Sequence, residues 1–161
     1  MYKIVEMNRE IGQEITTWRY EGEYEVYNLE EYKVLEEKGS GITKPERWKN
    51  YLCFYDEQTN ELIAYINIMQ KPSGDVFIGI GIKPVYCGKG KGKELLAYGI
   101  TRAIERYPDN KIALEVRSWN KRAIKCYIKA GFEIVEEVSK VDHYGNMAEF
   151  TMMEYKKNID K

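Results

Sequence analysis

Cysteine is scarce in this chain: there are three in 161 residues, at positions 53, 87 and 126. They are odd in number and lack the close paired spacing of a zinc site, which predicts free thiols, no disulfide and no bound metal. A run of eighteen apolar residues is also missing, and the opening MYKIVEMNREIGQE carries charges where a secretory leader needs an apolar stretch. Both absences point to a cytoplasmic protein without a membrane partner. An excess of one charge is missing too, because 25 Lys and Arg face 26 Asp and Glu, for a formal net charge of −1. A near-neutral molecule has no general attraction for nucleic acid or anionic lipid, so any anion site has to be local. No repeat, long linker or low-complexity run appears, and 43% hydrophobic content is enough for one core in a single domain spanning 1–161.

Turn clusters DEQTN, KPSGD, YPDN and DHYGN divide the chain into short segments. NYLCFY, ELIAYINIM and DVFIGIGI read as consecutive strands of an antiparallel meander. Residues 91–106 place Leu95, Leu96, Gly99 and Ala103 at helical spacing, with Pro108 just beyond the end. KIALEV then reads as a strand, residues 120–131 as a helix ending in glycine, and FEIVEEV with MAEFTMMEY as a closing hairpin. YKIVEM is an opening strand, followed by helical segments around 9–18 and 28–38. This order predicts an α/β fold, a mixed and mostly antiparallel central sheet flanked by helices on both faces.

The stretch YCGKGKGKELL alternates glycine and lysine immediately before the helix at 91–106. Glycine lets a ligand reach main-chain N–H groups, and a helix N-terminus adds the positive end of its dipole. The loop is therefore a phosphate cradle or, more plainly, a flexible basic turn. A Walker A loop is excluded because Lys93 precedes Glu94 rather than Ser or Thr, and a dinucleotide fingerprint because Gly88, Gly90 and Gly92 give G-x-G-x-G. Gly79 and Gly81 interrupt the preceding strand, marking a place where a ligand approaches the backbone or where crowding is relieved.

Together IKPVYCGKGKGKELL and LEVRSWNKRAIKCYIKAGF resemble the GNAT superfamily of N-acetyltransferases, over roughly residues 62–139. The resemblance implies an acyl-CoA N-acyltransferase fold with acetyl-CoA as cofactor. The family pattern Q/R-x-x-G-x-G/A falls on Cys87 to Gly92, and Cys87 departs from it at a position usually held by Gln or Arg. Resemblance implies that Cys87, Gly88, Lys89, Gly90, Lys91, Gly92 and Lys93 meet the pyrophosphate. It also implies that Ile80, Gly81 and Ile82 offer main-chain groups to the pantetheine arm, while the strand at 111–116 splays away. Asn120 becomes a cofactor contact and Tyr127 the general acid beside the sulfur; read alone, Asn120 is a helix N-cap and Tyr127 a packed aromatic. LEVR followed by Asn120 and Tyr127 is similar to the ribosomal-protein alanine N-acetyltransferases, which implies Glu115 as general base. Glu115 is expected inside a covered sheet, where it either serves as that base or pairs with Arg117 or another donor.

An amine is largely protonated at neutral pH, so acetyl transfer needs a group that removes a proton. The expected mechanism is direct attack: Glu115 deprotonates the amine through water, amides near Ile80 to Ile82 polarise the carbonyl, and Tyr127 donates to the thiolate. Cys126 neighbours Tyr127 but points about 100° away on a helix, against a covalent route. For the acceptor, a small-molecule amine or a protein amine, the expected frame is Trp18, Tyr20, Tyr24, Tyr27 and the sole histidine, His143. Two rival classes stand beside the enzyme: a non-catalytic acyl-CoA sensor, and an RNA-associated module that the near-zero charge disfavours. Oligomeric state is left at monomer or homodimer.

Overall fold

The computed structural model describes residues Met1–Lys157. Its strands are β1 (Tyr2–Val5), β2 (Tyr51–Asp56), β3 (Glu61–Gln70), β4 (Val76–Ile82), β5 (Ile112–Arg117), β6 (Phe132–Val141) and β7 (Met147–Tyr155). Its helices are α1 (Arg9–Ile15), α2 (Tyr32–Lys38), α3 (Lys91–Arg106) and α4 (Lys121–Lys129). The seven strands form one sheet in the order β1-β2-β3-β4-β5-β7-β6. It is mixed: β1/β2, β2/β3, β5/β7 and β6/β7 are antiparallel, and β4/β5 is parallel. Strand and helix order follow the sequence reading, but both early helices are shorter than expected. The Thr16 and Thr17 hydroxyls donate back to the Gln13 and Glu14 carbonyls at 2.8 and 2.6 Å, competing with helix propagation, so α1 stops at Ile15. Residues Gly22–Tyr27 form a 3-10 turn ahead of α2.

The chain divides into two compact units, Met1–Asn67 with Ile80–Cys87, and Ile68–Gly79 with the residues from Gly88 onward. In the first, the side chain of Asn8 accepts from Ile11 N at 2.8 Å and starts α1, which buries Ile11 and Ile15. These join Met7, Trp18, Leu35, Ile42, Tyr51, Cys53 and Leu62 in one apolar cluster. Leu52 and Phe54, on the opposite face of β2, are buried as well, so this strand is a continuous apolar run instead of an alternating one. Burial without a charged partner pushes the Cys53 thiol up to about 12, which leaves it an inert packing group.

The second unit is built on α3, α4, β5, β6 and β7. One face of α3 buries Leu95, Leu96, Gly99, Ile100 and Ala103, the spacing of a helix lying on a core. In β5, Ile112, Leu114 and Val116 are buried on one side, while Glu115 on the other is exposed. The parallel ladder between β4 and β5 pairs Val76 with Ile112 and Phe77 with Ala113, close to the N-terminal ends of both strands.

Candidate active site

The glycine and lysine turn is open. Gly88 and Gly90 have φ of 74° and 76°, left-handed values that cost other residues strain, and Gly90 directly precedes the first turn of α3. A side-chain carbon added at Gly90 would meet nothing within 4 Å. No side chain caps α3, so the first amides of a 16-residue helix stand behind a bare glycine, with Lys89 and Lys93 exposed nearby in sequence. A helix start without a side-chain cap, the helix dipole and positive charge together suit a diphosphate. Arg122, in the first turn of α4, places Nη1 3.7 Å from where a Cβ on Gly88 would stand. Sequence reasoning missed this residue, because nothing in the order of residues separates it from the other exposed cations.

The rest of the second unit sorts the catalytic candidates. Asn120 is buried and caps α4, its side-chain oxygen accepting from Ala123 N at 3.1 Å. Tyr127 is half-buried and meets Phe132 edge-on, with ring centroids 6.4 Å apart. Glu115 corrects an expectation in part: Ala113 and Arg117 on the same side of β5 are shielded, but the Glu115 side chain between them is 33% accessible. Its partner is Lys140 of β6, at 2.7 Å, the other donor that the sequence allowed beside Arg117. Arg117 instead pairs with Asp142 at 2.9 Å, where accessibilities of 11% and 4% mark a far better shielded contact. Backbone N–H groups of Asn146 and Tyr144, with the Arg117 guanidinium, hold the Asp142 carboxyl below its usual range.

In the first unit, the end of β4 is closely fitted. The Tyr20 hydroxyl donates to the Ile82 carbonyl at 2.7 Å, and burial pushes that phenol well above its ordinary pKa. Cys87 turns its Sγ toward the same carbonyl at 3.5 Å and toward the Lys83 carbonyl at 3.8 Å. The residue standing where Gln or Arg is usual is thus used within its own turn. Glu61 accepts from Lys83 Nζ at 2.5 Å and from the Tyr86 hydroxyl, tying the turn at Pro84–Tyr86 back to the start of β3. The Lys83 amide adds a bond to the Ile63 carbonyl at 2.8 Å.

Residues 12–132 match the model of the acetyltransferase (GNAT) family. The chain belongs to that family. A mycothiol acetyltransferase of Mycolicibacterium smegmatis is 29% identical over 108 residues, which is 65% of this chain and 35% of that protein. The chain therefore spans about a third of the length of that curated relative. Spermidine N-acetyltransferase from Vibrio cholerae, solved in complex with CoA and spermine, superposes with a TM-score of 0.67 at 16% identity, over 95% of this chain and 94% of the other. The ribosomal-protein-S18-alanine N-acetyltransferase of Escherichia coli gives 0.66 at 19% identity, over 100% and 99%. These likenesses establish the acyl-CoA N-acyltransferase fold, and the GNAT family uses acetyl-CoA. The open turn fits such a cofactor: its left-handed glycines leave clear the space that side chains would fill.

As a GNAT protein the chain needs an acceptor region, and the five residues expected there are differently placed. Trp18 is 5% exposed and belongs to the apolar cluster. Tyr20 is half-buried and bonded to β4, Tyr24 is half-buried in the 3-10 turn, and Tyr27 is exposed. His143 stacks on Tyr144 at 4.1 Å in the exposed turn between β6 and β7. Among the described residues no helix is long and apolar enough to cross a membrane.

Proposed function

We propose that this chain is an acetyl-CoA-dependent N-acetyltransferase acting on the primary amine of a small molecule. The observation carrying this reading is the uncapped start of α3 behind two left-handed glycines, in a GNAT chain. The Gly88–Lys93 main chain, Lys89, Lys91, Lys93 and Arg122 are assigned to the diphosphate, while Cys87 donates its amide to the Pro84 carbonyl at 3.1 Å and shapes the turn that leads into them. Asn120 keeps α4 in position and is assigned to the cofactor beside it. Acetyl-CoA supplies the acetyl thioester, whose carbon leaves sulfur for the amine nitrogen.

The chain's own residues handle protons and orientation. Main-chain groups at Ile80 to Ile82 orient the carbonyl. Glu115, solvent-accessible and held by Lys140, takes the amine proton through water; Tyr127 returns one proton to the leaving sulfur. Acidic and aromatic residues of the 3-10 turn, Glu23, Tyr24 and Tyr27, meet a cationic acceptor. Thiol release from acetyl-CoA with a panel including spermidine tests the reading, beside thermal shift with CoA alone. Glu115→Gln and Tyr127→Phe should each lower kcat by about a hundredfold. Retention of wild-type turnover by both across pH removes these two assignments.

A further inference from the structure

The end of β4 is closed by one ring. A side-chain carbon on Gly81 would stand 2.6 Å from Cζ and 2.8 Å from the hydroxyl oxygen of Tyr65, with Cε1 nearer still, so the phenol occupies the place of a side chain at Gly81. Tyr65 is fixed in β3 opposite Cys53. Two buried rings back it: Trp18 and Tyr51 have centroids at 6.2 Å, tilted by 33° and 42°. Trp18 and Tyr51 are 5% and 7% exposed, so the rings behind Tyr65 are themselves held in the core. Tyr65 itself keeps partial exposure, which leaves its outer ring surface as a wall. One residue further along, the Ile82 carbonyl is already occupied by the Tyr20 hydroxyl.

We infer that Tyr65, braced by Trp18 and Tyr51 against Gly81, sets the size of the acyl group this enzyme transfers, admitting acetyl and rejecting longer chains. The inference rests on the reading above that Ile80 to Ile82 hold the thioester carbonyl. A wall of packed rings cannot yield to extra methylenes without displacing buried aromatics, and overpacking of that kind is costly. Burial pushes the Tyr65 phenol up to about 12, so it stays protonated.

The test compares acetyl-, propionyl- and butyryl-CoA with wild type, Tyr65→Phe, Tyr65→Leu and Tyr65→Ala, using thiol release with spermidine and thermal shift by each thioester. Tyr65→Ala should raise the butyryl-to-acetyl ratio of kcat/KM by about tenfold or more, the scale set by a pocket that gains or loses methylenes. Tyr65→Phe, which retains the ring, should leave the ratio at the wild-type value. If Tyr65→Ala does not fold, Tyr65→Leu carries the same expectation at smaller size. An unchanged ratio in a folded variant overturns the inference, as does a change confined to KM for the amine, which would make Tyr65 an acceptor contact. Wild type that binds acetyl-CoA but releases no thiol with any amine of the panel refutes the proposed activity alone, and the acyl-size limit is then read from the thermal shifts.

Discussion

Gly81 and Gly90 are nine positions apart and would look alike in any motif, yet they are glycine for opposite reasons. At Gly90 the requirement is conformational: φ is 76° and the surrounding space is empty. At Gly81 the requirement is steric: no left-handed φ is present, but Tyr65 occupies the place of a side chain. An open glycine leaves amides for a ligand to come to, whereas a filled one lets protein come to the backbone. The first suits diphosphate capture and the second suits a tightly shaped acyl pocket. Of the two readings attached to Gly79 and Gly81, relief of crowding is the one that Tyr65 supports at Gly81.

Substitutions separate the two most sharply at Gly81. Gly81→Ala should cost about 1–3 kcal/mol of stability, the usual range for overpacking, because Tyr65 is backed by Trp18 and Tyr51. Denaturant unfolding measures this; a cost near zero would mean that the ring moves freely. Gly90→Ala should cost about 1–2 kcal/mol through backbone strain alone. Its distinguishing effect is on ligand binding, a weaker thermal shift with CoA, whereas Gly81→Ala should leave the CoA shift in place while depressing turnover. The smallest effect concerns the turn between these glycines. Hydrogen bonds from Lys83 and then Tyr86 lower the pKa of Glu61 below the ordinary glutamate value of about 4.3. Stability from this contact is fully present above that value and is lost as pH falls through the lowered folded pKa. Melting curves of wild type and Glu61→Gln should thus differ near neutrality and converge as pH falls below the ordinary glutamate value. A difference that persists unchanged into acid would assign the contact no charge dependence.

Much of the fold was legible because local signals and burial agree. The stripe of Leu95, Leu96, Gly99 and Ala103 becomes the buried face of α3, and Asn120 caps α4 as its position suggested. Early helices were harder: Thr16 and Thr17 can continue a helix or bond back to it, and only the observed geometry decides. Glu115 was partly misjudged because alternation along β5 tells which side it faces, not how far each position on that side is covered. Lys140 pairs with Glu115 from 25 residues away, and no spacing rule links the two. Tyr65 was read only as part of a strand; its role arises where β3 places its ring over Gly81.

Sequence alone determined the strand and helix order and the place of the glycine-rich turn before α3, because hydrophobic period, capping residues and turn residues are local properties, and the resemblance of two motifs pointed to the GNAT family. Tertiary structure decided the partner of Glu115, the placement of Arg122 beside Gly88 and the closing of β4 by Tyr65. Those depend on distances between residues remote in the chain, which are set by how sheet register and packing bring side chains together.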